Sequence, residues 1–69
     1  MPLTLARAGE VKHIKKVGGR EDTKRFLETL GFVPGEDVLV VSEISGSVIV
    51  SVKESRVAIS KEMASKIYV

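Results

Sequence analysis

The chain has no cysteine and no tryptophan, one histidine, two prolines, and only three aromatic residues: Phe26, Phe32 and Tyr68. Each shortage excludes a class of chemistry. Without cysteine there is no disulfide, no thiolate metal site and no sulfur nucleophile. The lone histidine, His13, has no serine or aspartate relay at recognisable spacing, so it reads as structural or solvated rather than catalytic or metal-binding. Scarce aromatics leave little for stacking nucleic-acid bases. No window approaches the roughly 18 apolar residues of a membrane-spanning helix, and Met1-Pro2-Leu3 does not begin a basic-then-apolar leader. The expectation is a cytoplasmic protein with no segment inserted in a membrane.

What the chain does have is aliphatic residues. Apolar residues make up 43% of its 69 positions, and most are Val, Ile and Leu, which favour strands. A chain of this length is expected to be one domain, residues 1–69, burying only about 60% of its unfolded surface. Help from a partner, a second copy included, fits so thin a core. The formal charge is +2, with seven basic and four acidic residues in positions 1–34 and four basic and five acidic in 35–69. That basic surplus falls short of the dense stripe of a dedicated nucleic-acid binder, and no nucleic-acid partner is expected.

Along the chain, Leu3-Thr4-Leu5 alternates like a short strand. Val11, Ile14 and Val17 fall three apart, a spacing that fits a bulged strand whose faces swap midway. Gly18-Gly19 ends it. Asp22 or a neighbour caps a helix over Thr23 to Leu30 with Phe26, Leu27 and Leu30 on its apolar face, so that Phe26 and Phe32 belong to the core. Gly31 suits the left-handed residue that stops a helix, and Pro34-Gly35 suits the centre of a type II turn. Val38, Val40 and Ile44 share one face of the next strand, and Leu39 and Val41 the other. Ser45-Gly46 makes a hairpin into Val48, Val50 and Val52. Glu54-Ser55 turns again into Val57-Ala58-Ile59. Ser60 caps one helical turn before a last strand, Ile67-Tyr68-Val69. The pattern predicts a mainly β fold: a small, strongly bent barrel of five to six short strands, with one inserted helix and a one-turn helix before the last strand.

Reactive constellations are missing. Glu21-Asp22 and Glu36-Asp37 are the only adjacent carboxylates; they suit a helix start and a turn, and offer a transition metal at best a weak contact. Gly18-Gly19-Arg20 lacks the Gly-x4-Gly-Lys-Ser/Thr spacing of a nucleotide cradle, so no GTP or ATP site and no other cofactor is expected. The reading is a protein that is not an enzyme. Leu39, Val41 and Ile49 point away from the presumed core on adjacent strands; either the helix or the terminal strands cover them, or they form an apolar contact patch. With Lys24 and Arg25 to orient an acidic partner, they are the candidate binding surface.

Ile14 with Gly18-Gly19, the run Lys24-Arg25-Phe26-Leu27-Glu28-Thr29-Leu30-Gly31-Phe32-Val33-Pro34-Gly35, and Val57-Ala58-Ile59 with Ala64 and Ile67-Tyr68-Val69 together resemble the FeoA family, nearly end to end. That resemblance implies an SH3-like barrel and a small accessory protein of bacterial ferrous-iron uptake, acting on the membrane transporter FeoB, whose cytoplasmic part is a GTPase. Gly31, Phe32, Pro34 and Gly35 match the family as architectural residues, and no catalytic residue transfers. The hairpins depart from the common pattern, with Ser47-Val48 where a proline is frequent and Glu54-Ser55 where a glycine often turns. The same fold occurs as a regulatory domain of iron- and manganese-dependent repressors, which supplies an alternative, as does a small nucleic-acid-binding barrel. Nothing in the chain resembles the repressors' DNA-binding helices.

Overall fold

A computed structural model describes residues 1–69. Six strands form two sheets. β1 (Val11–His13), β3 (Asp37–Ile44), β4 (Ser47–Val52) and β5 (Ser55–Ser60) make a four-stranded antiparallel sheet in the order β1-β3-β4-β5. β2 (Lys16–Val17) and β6 (Ile67–Tyr68) pair separately. One ten-residue helix, α1 (Glu21–Leu30), follows β2, and the four-residue α2 (Lys61–Ala64) follows β5. The mainly β, SH3-like architecture is therefore present, but hydrogen bonding does not run all the way round, and β5 is an edge.

Thirteen buried apolar residues form one core. The large sheet contributes Val38, Val40, Val48, Val50, Val52 and Ile59, and Leu3, Ile14, Leu27, Phe32, Ala64, Ile67 and Val69 close over them. Burying each larger side chain is worth about 1.5–3 kcal/mol. The two chain ends meet: the Met1 ammonium donates to the Val69 carbonyl at 2.9 Å, and the Val69 N–H donates to Met1 O at 2.8 Å.

The junction between α1 and β3 follows its residue types. Gly31 ends the helix at φ +105°, its N–H donating to Glu28 O while the Phe32 N–H reaches back to Leu27 O, both at 3.0 Å. The left-handed position and this 6→1 bond are the marks of a Schellman stop. Pro34-Gly35 then forms the type II turn, with Gly35 at φ +92° and the Glu36 N–H donating to Val33 O at 3.1 Å. Ile14 is stitched to this turn, accepting from Gly35 N–H at 2.8 Å and donating to Glu36 O at 2.9 Å.

Several local expectations are corrected. Leu3–Leu5 is one turn of 3-10 helix, closed by Leu5 N–H to Pro2 O and Ala6 N–H to Leu3 O, so Leu3 alone is buried and Leu5 is 66% exposed. Residues 11–17 are two strands instead of one bulged strand. After His13 the chain leaves β3 as its partner, and by Lys15, whose N–H donates to Tyr68 O, it has joined β6. The true bulge is at Val41, left over between the pairs Val40–Val50 and Ser42–Ile49. It turns Ile44 off the face of Val38 and Val40, leaving it 57% exposed. α1 begins at Glu21 with Arg20 at the cap and no side-chain bond there; the Asp22 carboxylate instead accepts from Thr23 N–H. Phe26 stands 46% exposed while Leu27 fills the core. Ser60 does cap α2, its hydroxyl accepting from Met63 N–H at 3.1 Å.

The β4–β5 turn lies at Lys53-Glu54, one residue earlier than expected, with both residues at positive φ, +48° and +64°. This two-residue geometry favours Asn-Gly, because side chains in the left-handed region are strained by about 1–2 kcal/mol. Glu54→Gly is therefore expected to raise the unfolding free energy by about 0.5–1 kcal/mol after the entropy that glycine adds to the unfolded chain, as read by urea denaturation.

Candidate interaction surface

The pairing registers place an apolar stripe on the face of the large sheet turned away from the core. In one row Val11, Leu39, Ser51 and Arg56 lie side by side, and in the next Ile49 stands between the Val41 bulge and Ala58. Val11 is 64% exposed, Leu39, Val41 and Ile49 are half-buried, Ala58 is exposed, and none belongs to the core or packs against it. Leu27 of the helix and Leu3, Ile67 and Val69 near the chain ends belong to the core on the opposite face. Leu39, Val41 and Ile49 are thus brought together as the alternation implied, and Val11 and Ala58 extend them. Val11 was hidden from sequence because only the β1–β3 pairing brings it there; Ala58 was signalled by its place between Val57 and Ile59, which face inward.

Lys24 and Arg25 do not join the stripe. They ride on α1, which Leu27 anchors on the core side of the sheet, and Lys24 lies 4.0 Å from Glu21. The charged margin of the stripe comes from other residues. Arg56 stands in the Leu39 row, and His13 Nδ1 lies 3.0 Å from Asp37 Oδ1 beyond Val11. Gly31, Phe32, Pro34 and Gly35 lie at the α1–β3 junction, where their work is architectural.

No cluster of three or more His, Cys, Asp or Glu side chains converges on one point. The adjacent carboxylates each have a nearer occupation: Glu36 with Lys53 at 3.7 Å, Asp37 with His13, Glu21 with Lys24, and Asp22 with a backbone N–H. The Glu10 carboxyl is held below the usual carboxylate range, first by the Arg7 N–H that donates to it at 2.6 Å, and its bridge across the Arg7–Glu10 loop weakens as pH falls through that lowered value. A cleft of about 310 Å³ opens beside the 3-10 turn over Leu3, Val40 and Val48, with Thr4, Arg7 and Glu43 at its rim. Glu43 is ion-paired with Lys61 at 2.5 Å. No helix is long and apolar enough to cross a membrane. Outside the core, the stripe is the apolar area that the strand pairings gather on one sheet face.

Comparison with known proteins agrees with this architecture. The family model described as the FeoA domain matches residues 1–69. A protein of Methanocaldococcus jannaschii, provisionally named Fe(2+) transport protein A, is 34% identical over 68 residues, which span 99% of this chain and 83% of that protein. Among solved structures, an iron uptake regulatory protein (FeoA) superposes with a TM-score of 0.89 at 28% identity, covering 97% of this chain and 91% of its own. The FeoA of Stenotrophomonas maltophilia, solved with zinc and described as a prokaryotic SH3-domain protein, gives 0.86 at 24% identity over 99% and 87%. With the family profile spanning every residue and the relatives aligned nearly end to end, the chain belongs to the FeoA family.

Proposed function

We propose that this protein is a cytoplasmic accessory component of ferrous-iron uptake that acts by contact with the cytoplasmic GTPase part of a FeoB-type transporter and carries no reactive centre of its own. The observation that carries the reading is the stripe of Val11, Leu39, Val41, Ile49 and Ala58 on the outer sheet face, with Val11 and Ala58 exposed and the three between them half-buried. An apolar patch with a charged rim has the anatomy of a protein interface, in which a few central side chains supply most of the affinity. Arg56 and the His13–Asp37 pair would set orientation on the partner, in place of Lys24 and Arg25.

The test is binding of the purified protein to the transporter's cytoplasmic domain, followed by titration. Leu39→Asp combined with Val41→Asp is expected to weaken binding by roughly 100-fold, as loss of two central contacts does, with the circular dichroism of the fold unchanged. Lys24→Ala with Arg25→Ala is expected to change it less than about threefold. Full binding by the Asp variant removes the stripe from the interface, and absence of binding by the native chain removes the proposal. A parallel titration with generic RNA separates the nucleic-acid alternative, whose affinity would fall steeply with salt.

A further inference from the structure

β5 leaves one of its edges unpaired. Lys61 N–H donates to Gly46 O at 3.0 Å, which in the register Ser47–Ser60 makes Val48–Ile59, Val50–Val57 and Val52–Ser55 the hydrogen-bonded pairs with β4. The alternate residues therefore turn away from β4: Arg56 and Ala58 present both N–H and C=O to the open edge, and Ser60 its N–H. No group of the chain meets them, and all three residues are exposed.

Proteins usually protect such an edge with proline, a bulge, lysines or a very short strand. Over its six residues β5 has no proline, bulge or lysine, and Arg56 is its one charge, whereas β1, at the opposite edge, is only three residues long.

We propose that β5 pairs antiparallel with β5 of a second copy across a two-fold axis, Ala58 opposite Ala58, joining the two four-stranded sheets into one. The two-fold favours a copy of the same chain over a foreign strand, because each demand of the edge is met by the same edge reversed. Side chains directly opposite share a face. In this register the smallest side chain of the strand meets itself at the axis, and inward-facing Val57 lies beside Ile59 of the second copy. Arg56, the strand's only charge and without an ion pair of its own, lies beside a serine instead of another arginine. The outer stripe would then run unbroken from Ile49 through both alanines to Ile49 of the second copy. Two six-residue strands make a contact smaller than the roughly 1,200 Å² at which stable complexes begin, so the dimer forms with rising concentration and falls apart on dilution.

Sedimentation of the native chain up to millimolar concentration is expected to show that equilibrium. Ala58→Pro removes an N–H that faces solvent in the monomer, a place where strands tolerate proline, and it is expected to abolish the dimer while circular dichroism shows the fold retained. Ala58→Lys, which sets two ammonium groups face to face, is a second variant with the same expected outcome. Because the chain has no cysteine, Ala58→Cys introduces a sole thiol at a separation of about 5.5 Å between facing Cα atoms, within disulfide reach. It is expected to oxidise to a covalent dimer, whereas Arg56→Cys, displaced along the strand from its own copy, is not. A strictly monomeric native chain, a dimer that survives Ala58→Pro and Ala58→Lys, or equal crosslinking of the two cysteine variants each overturns the proposal.

Discussion

Phe32→Ala is expected to remove a large fraction of the chain's stability, or all of it. Phe32 is the largest of the fully buried side chains, and truncating a buried phenylalanine costs about 3–5 kcal/mol through lost transfer energy and the cavity left behind. A domain of 69 residues has about 3–10 kcal/mol of stability in all. The loss therefore consumes a large fraction of the margin or all of it. Position adds to the effect: Phe32 follows the helix stop directly, and its own N–H closes that stop on Leu27 O. The matched control is Phe26→Ala. Phe26 has the same chemistry six residues earlier but is half-exposed, and its removal is expected to cost less than about 1 kcal/mol. Thermal melts of the two variants side by side check the pair; similar losses would show that α1 packs by its Phe26 face.

The second large effect is at Gly31. At φ +105° an L side chain is strained by about 1–3 kcal/mol, and an added Cβ would sit 3.3 Å from Cγ and Cδ of Lys53 and 3.6 Å from Cγ2 of Val52. Gly31→Val, branched at that carbon, is expected to cost about 3 kcal/mol or more, since backbone strain and crowding act together. Gly35→Ala separates the two causes, because Gly35 is also at positive φ but has no atom within 4 Å of an added Cβ. It is expected to cost only the strain, about 1–2 kcal/mol. Urea denaturation of both variants measures the difference; equal losses would mean that Lys53 simply swings aside.

What could be read from the residues alone, and what could not, divides along physical lines. Gly31, Pro34-Gly35 and Gly46 were legible because each demands a backbone conformation that its residue type supplies locally. The strand alternation likewise set Leu39, Val41 and Ile49 on the face away from Val38, Val40, Val48 and Val50, as the registers have it. Phe26 was misplaced because Phe26, Leu27 and Leu30 span an arc of the helix wide enough to suit two docking angles, and the choice of Leu27 is made by the sheet. The division of residues 11–17 was invisible because the partner that captures Lys15 is Tyr68, at the far end of the chain. The single-residue shift at Val41 was invisible for a related reason: a bulge is an agreement between two strands, and neither announces it. Val11 in the candidate surface and Arg56 at its margin depend on the same long-range pairings.

The hydrogen bonds that tie Met1 to Val69 have a consequence for how this unit can be used. A fold whose two ends leave side by side can be grafted into a loop of a larger host, entering and returning through one stem without pulling on its interior. Such a unit is portable, able to hang as a pendant from a protein with another task and keep its shape there.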